Sequence, residues 1–357
     1  MDKYKIDDHK LMYHVSRVND WLNGKIVYPI YMEICPSGAC NHRCTYCAYD
    51  FAGYKNKFLE TEVLKKKLSE LGARGLKSVV YAGEGEPFLH PDMADIISHT
   101  AKSGIDVGIA TNAVFFNEET AEKTLKDITW LKVSISGATE DTYRKIHRSK
   151  PGDISRVINN MKTASEIKRI KGYSCTLGMQ LLLLPENCNE AVDLVKLARD
   201  IGMDYVVIKP YSQHPQSKTT KYNSVKYSEY EHLGDKIAQL NTNKFSAVFR
   251  IQTMREWDSG NSVRGYNRCL STPFWSYIDM EGNVWGCAIY LGDEKFLYGN
   301  IYEESFQEIW QGKKRKKSLA WMENELDISK CRVNCRMNKI NKYLWDLKNL
   351  PEHVNFI

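Results

Sequence analysis

Between residues 61 and 240 the chain alternates two kinds of segment, and that rhythm narrows its folds more than any other feature. Leucines at 64, 68 and 71, behind a capping Thr61, mark a helix over 61–71. Short apolar or β-branched runs at 78–82, 107–111, 130–136, 177–184 and 205–211 alternate with helical segments at 91–103, 117–126, 154–171, 189–200 and 228–240. A similar run at 26–35 precedes the first helix. Six βα units in series predict a parallel sheet covered by helices. Such sheets place their ligands at the C-terminal ends of the strands. Periodicity alone leaves a barrel and a doubly wound open sheet both possible.

The loop after the first strand carries Cys40-Asn41-His42-Arg43-Cys44-Thr45-Tyr46-Cys47, three cysteines within eight residues. Thiolates at short spacing let one loop wrap an iron–sulfur cluster. Three ligands leave one iron of a four-iron cluster open to another group. The same residues also permit a zinc site with His42 as fourth ligand. Disulfides are disfavoured, because residues 1–15 are charged and lack the apolar stretch of a secretion signal.

The Cys-x3-Cys-x2-Cys spacing, with Tyr46 before the last cysteine, resembles the signature of the radical SAM superfamily. The resemblance implies a partial (β/α)6 barrel. It also implies a [4Fe–4S] cluster on Cys40, Cys44 and Cys47, with S-adenosylmethionine on the open iron and a low-potential electron donor such as flavodoxin or ferredoxin. Reductive cleavage of S-adenosylmethionine would give a 5′-deoxyadenosyl radical that takes hydrogen from a substrate. After the second strand, Gly83-Glu84-Gly85-Glu86-Pro87 is similar to the family's GGEP-like segment, which binds the methionyl amino group; either glutamate suits an ammonium. Tyr46, Asn112 after strand three, and Ser134 and Ser136 on strand four are further expected cofactor contacts. Alternation puts the two serines on one face, opposite Val133 and Ile135. Gln180 is a polar residue in an apolar run; an unpartnered buried amide costs about 1–3 kcal/mol, so it is expected to face the interior and a ligand. Arg144, His147 and Arg148 after strand four, and Lys209, Tyr211 and His214 after strand six, are candidate substrate contacts suited to an anionic or polyhydroxylated molecule. Cys188, after strand five, is the candidate hydrogen-atom donor.

After about residue 245 the rhythm is expected to stop. Cys269, Cys287, Cys331 and Cys335 follow, with a hairpin over 274–279 and 283–290 turning at Glu281-Gly282. This set resembles the twitch module, a shorter relative of the SPASM domain, and implies one fully ligated auxiliary [4Fe–4S] cluster that takes up or passes electrons. Zinc is the alternative that the spacing permits.

The expected organisation is a lead-in at 1–25, a barrel at 26–245 and a small α+β cluster-binding domain at 246–357. A net charge of +6 over 357 residues does not argue for nucleic acid. Lys313-Lys314-Arg315-Lys316-Lys317 reads as a solvated helix face. No run reaches the roughly 18 apolar residues of a membrane span. Ten cysteines without a signal sequence point to a cytoplasmic protein with metal or redox sites. The leading expectation is hydrogen abstraction from a small polar substrate (a sugar, aminocyclitol or nucleoside derivative), ending in oxidation, epimerisation or decarboxylation. Peptide maturation is the alternative within the same chemistry; about 25 residues before strand one are too few for a leader-binding domain. A non-catalytic zinc protein is the alternative outside it.

Overall fold

Seven strands run parallel in chain order: β1 (Tyr31–Ile34), β2 (Ser78–Tyr81), β3 (Asp106–Thr111), β4 (Trp130–Ser134), β5 (Thr176–Leu182), β6 (Tyr205–Lys209) and β7 (Ser246–Phe249). The computed structural model describes residues 4–6, 8–260 and 264–356. A doubly wound sheet reverses its strand order at a switch point. Here every strand from β1 to β7 neighbours the next in sequence, which is barrel winding. Beyond β1 the sheet continues through β8 (Trp275–Ile278), parallel to β1, and then β9 (Asn283–Trp285) and β10 (Leu297–Asn300), both antiparallel. Among the described residues the end strands β10 and β7 are not paired, so the barrel is partial.

Two expectations need correction. The βα rhythm does not stop at 245: β7 pairs parallel with β6, and a helix, Ile251–Ser259, follows it. β7 is a four-residue edge strand, part-buried throughout, so its apolar signal is weak. The C-terminal hairpin turns at Gly282 (φ +82°) as expected, yet it does not fold apart. Tyr31 pairs with Trp275 and Ile34 with Ile278, making the hairpin an extension of the barrel sheet.

A helix at Glu140–His147, capped by the Thr139 side chain, lies between β4 and the long helix Asp153–Lys171. The basic run begins the helix Lys313–Asn324. Its four lysines are exposed, but Arg315 is buried over the Trp310 ring at 3.7 Å and donates to that residue's carbonyl at 3.0 Å. Guanidinium stacking on an indole explains why one cation of the run is not solvated.

Candidate active site

The cysteine loop leaves β1 and is fixed by backbone bonds. Arg43 N–H donates to the His147 carbonyl (3.1 Å), Thr45 N–H to Ile146 (2.8 Å), and Glu86 N–H to Ala39 (2.7 Å). A Cβ on Gly85 would lie 2.3 Å from the carbonyls of both Ser37 and Ala39. The glycine between the two glutamates therefore lets two loops meet backbone to backbone. Asp50 braces the far end, accepting from Ser217, Lys218 and Thr219 at 2.8–3.1 Å.

The three loop thiols are part-buried. Burial, and then Glu86, pushes the Cys40 thiol up to about 12. Burial, and then the neighbouring Cys47 and Cys40, pushes Cys44 well above the ordinary thiol value. Adjacent buried thiols that resist ionising alone are stabilised as thiolates by the positive irons of a cluster, so this donor set fits one. His42 Nε2 lies 3.3 Å from Asp153 Oδ2, and its Nδ1 is buried without a hydrogen-bond partner among the described residues. The ligand atoms of His42, Cys44 and His147 do lie within 4.8 Å of one another. That group uses only one of the three loop thiols, and both ring nitrogens of His147 are engaged. His147 Nε2 accepts from Ser136 N–H at 2.9 Å, which assigns the proton to Nδ1, 3.3 Å from Cys44 Sγ. His147 thus orients Cys44, as outer partners of metal ligands do.

The two glutamates of the second loop differ. Glu86 is buried and accepts three bonds, from Thr111 Oγ1 (2.5 Å), Asn112 N–H (2.7 Å) and Phe88 N–H (3.2 Å). It ties the loop to the end of β3. Glu84 accepts one bond, from Tyr277 O–H at 3.3 Å on β8, and so faces the C-terminal hairpin. Gly83 (φ +122°) packs against the same tyrosine and Cys35. Asn112 Nδ2 donates to Asn41 Oδ1 at 2.7 Å, joining β3 to the cysteine loop. Ser134 and Gln180 are paired in register and part-buried on the interior face. Ser136 is past the strand and fully buried; its Oγ donates to Tyr46 O–H at 3.4 Å and accepts from Leu182 N–H at 3.4 Å.

Burial, and then Asp279, pushes the Glu84 carboxyl up to about 7. Such a group stays protonated in the folded chain and ionises in the unfolded chain between roughly pH 4.5 and 7, so its share of stability falls as pH rises through that window. Glu84→Gln is expected to flatten the fall in melting temperature between pH 5 and 7.5, measured by circular dichroism; an unchanged slope would show that Glu84 is ionised throughout.

The candidate substrate residues separate. Arg144 and Arg148 are exposed on the outer helix, Arg144 within 3.9 Å of Glu140 and Arg148 closing the helix with φ +49°; neither faces the barrel interior. His147 is fully buried against Cys44, not open to a substrate. Tyr211 is also buried, with its hydroxyl on Gln213 Oε1 at 2.6 Å. His214 stacks on Phe51 at 5.1 Å and meets the Ala288 carbonyl at 3.3 Å, and burial lowers its pKa to about 4. Lys209 is part-buried at the end of β6. Cys188 starts the turn before the helix Ala191–Asp200, its thiol on the Pro185 carbonyl at 3.4 Å. Basic residues next to a strand end looked alike in sequence; only the fold separates those on the outer helix from Lys209.

Cys269, Cys287, Cys331 and Cys335 line one cavity of about 50 Å³, together with Tyr49 and Arg332. Tyr290 O–H lies 3.3 Å from Cys331 Sγ, and Asn341 Nδ2 donates to Cys269 Sγ at 3.7 Å. Burial raises Cys287 well above the ordinary value and Cys335 to about 11, with the other cysteines adding to both. This donor set fits an auxiliary cluster with all positions filled by thiolates. Sequence reasoning missed Tyr49, two residues past Cys47, which lines this cavity and stacks on Tyr277 at 6.3 Å. It links the two cysteine sets.

The radical SAM superfamily model matches residues 34–198, and an iron–sulfur cluster-binding (SPASM) domain model matches residues 269–336. The chain carries a radical SAM domain followed by a SPASM-type iron–sulfur cluster-binding domain. Among relatives, the AdoMet-dependent heme synthase of Methanosarcina barkeri is 24% identical over 293 residues, covering 77% of this chain and 80% of the relative. The antilisterial bacteriocin subtilosin biosynthesis protein AlbA of Bacillus subtilis is 22% identical over 331 residues, covering 87% and 68%. The crystal structure of Streptococcus suis SuiB bound to precursor peptide SuiA shares the fold, with a TM-score of 0.65 at 19% identity, covering 85% and 68%. As a radical SAM enzyme the chain takes a [4Fe–4S] cluster, S-adenosylmethionine, auxiliary iron–sulfur and an external reductant. No described helix is long and apolar enough to cross a membrane.

Proposed function

We propose that this radical SAM enzyme abstracts hydrogen from a small polar substrate held inside the barrel, a sugar, aminocyclitol or nucleoside derivative, and that oxidation, epimerisation or decarboxylation follows. Cluster and S-adenosylmethionine, when bound, supply the radical chemistry, and the auxiliary cluster supplies an electron acceptor. The chain's own residues position and enclose. Cys40, Cys44 and Cys47 would hold the first cluster, with Cys44 oriented by His147. Cys269, Cys287, Cys331 and Cys335 would hold the second. Asn112, Ser134, Gln180, Tyr46 and the backbone of Gly83 and Gly85 surround the place for S-adenosylmethionine.

The observation that carries the substrate class is the interior lining beyond the residues given to S-adenosylmethionine: Lys132 and Lys209, both part-buried, sit on inward-facing positions of β4 and β6. A polar interior is poorly suited to an apolar substrate, since each lining group then loses its hydrogen bonds. We place the protein in the cytoplasm, where thiolate clusters are not lost to disulfides.

Peptide maturation is the second reading. AlbA, a bacteriocin biosynthesis protein, aligns over 87% of this chain. Iron and sulfide analysis with EPR, after anaerobic reconstitution and dithionite reduction, tests the class. About eight irons and a signal shifted by S-adenosylmethionine are expected; zinc without iron sinks both readings. Formation of 5′-deoxyadenosine, stimulated by nucleotide sugars or by synthetic peptides, separates the two.

A further inference from the structure

The barrel interior has a floor of rings, with cations at and above its level. Trp130 on β4 lies over Gly108 of β3, where an added Cβ would sit 2.5 Å from the indole. Tyr205 on β6 lies over Gly178 of β5, where it would sit 2.2 Å from the ring. Two large rings over two glycines fill the N-terminal end of the barrel. One inward step along β4, on the face of Trp130 and Ser134, stands Lys132. Two inward steps along β6 from Tyr205 stands Lys209. Arg250 N–H donates to the Ile208 carbonyl at 3.0 Å; Phe249 pairs with Ile208, so Arg250 follows on the face of Lys209.

Both lysines are part-buried, yet neither ammonium has a hydrogen bond or a carboxylate partner among the described residues. The recorded neighbour of Lys132 is the Trp130 ring at 5.6 Å. Each lysine's basicity is depressed, first by burial and then by cations: Arg250 for Lys132, and Lys132, Arg250 and Arg332 for Lys209. A fold gains nothing from two enclosed ammoniums that repel each other. Cations held this way at functional sites are compensated by what binds there.

We infer that Lys132 and Lys209 form an anion-binding subsite above the Trp130–Tyr205 floor that takes a phosphate or diphosphate group of the substrate. This rests on the small-substrate reading and narrows it to phosphorylated molecules. Two positive charges match a dianion better than a single carboxylate, and an ammonium binds phosphate as a point charge. The group would sit between the ring floor and the C-terminal ends of β6 and β7, which carry Lys209 and Arg250, with the rest of the substrate directed toward the cysteine loop at that same end.

The test uses the reconstituted holoenzyme and inorganic pyrophosphate, read by intrinsic fluorescence, for which Trp130 is a local reporter. Saturable binding that weakens with salt is expected, with acetate at equal ionic strength giving at least tenfold weaker binding. The Lys132→Met and Lys209→Met variants should each lose tenfold or more in pyrophosphate affinity. Both should keep the S-adenosylmethionine-shifted EPR signal, and their melting temperatures should stay level or rise, because a repulsive pair is gone. A structural lysine would instead lower the melting temperature. Wild-type binding no tighter than that of the variants, or acetate binding as well as pyrophosphate, overturns the subsite. Loss of the EPR signal in the wild type overturns the functional reading instead, and the fluorescence result stands apart from it.

Discussion

Replacing Cys40, Cys44 and Cys47 together by alanine is expected to abolish 5′-deoxyadenosine formation and to leave about four of about eight irons. The loop that carries them keeps its shape without the thiols, because its anchors are main-chain bonds: Arg43 to His147, Thr45 to Ile146, and Glu86 to Ala39. The thiols add side-chain contacts to that frame rather than main-chain anchors: His42 N–H to Cys40 at 3.5 Å, Cys44 with His147 at 3.3 Å and Tyr46, and Cys47 with Tyr54. Circular dichroism should therefore be unchanged while activity vanishes. The complementary variant, with Cys269, Cys287, Cys331 and Cys335 changed to alanine, should keep cleavage of S-adenosylmethionine and lose net oxidation. Its hairpin stays in place through the β8–β1 ladder, which involves none of these four cysteines. Iron analysis and product chromatography on both variants check this; residual cleavage in the first, or none in the second, would mean that the roles are assigned to the wrong sets.

The parts of the site that could be read in the sequence are those where spacing is itself the geometry. Three cysteines within eight residues must share a loop, and a glycine between two glutamates must end a strand. Six of the seven βα units were visible because their strands and helices carry strong apolar periods. β7 was not, since Ser246–Phe249 is short and sits on the sheet edge. The hairpin at Glu281-Gly282 was legible, but its parallel pairing with β1, more than 240 residues earlier, depends on shape and leaves no local mark. Side-chain direction divided the basic residues. Arg144 and Arg148 share a sequence neighbourhood with strand four and ended on an outer helix. Lys132 passed unnoticed inside the run Trp130–Ser134, although the alternation that placed Ser134 inward places Lys132 inward too. Arg315 looked solvated because its charged neighbours are; its partner Trp310 lies five residues back.

Glu86→Ala is expected to cost more stability than any other single change in the candidate site. The carboxylate uses three of its roughly four acceptor positions on Thr111, Asn112 and Phe88, and Thr111 and Asn112 are themselves buried. Alanine would leave these donors without partners, at about 1–3 kcal/mol for each that water cannot reach. A loss of at least about 3 kcal/mol follows, or a drop in melting temperature on the order of 5–10 °C. The loop would also lose its register against β3. Since Gly85 touches the cysteine loop backbone to backbone, the variant should lose S-adenosylmethionine binding even where it remains folded. Glu86→Gln retains one acceptor oxygen but turns an amide toward a second donor, so its loss should fall between alanine and wild type. Glu84→Gln should behave in the opposite way. Glu84 holds a single bond, to Tyr277, and lies near Asp279, so the neutral amide removes a repulsion and should leave melting temperature at pH 7.5 level or higher. Thermal melts with equilibrium dialysis of labelled S-adenosylmethionine on the three variants decide the matter. If Glu84→Gln abolishes binding and Glu86→Gln does not, the methionyl amino group belongs to Glu84, and Glu86 is only the brace.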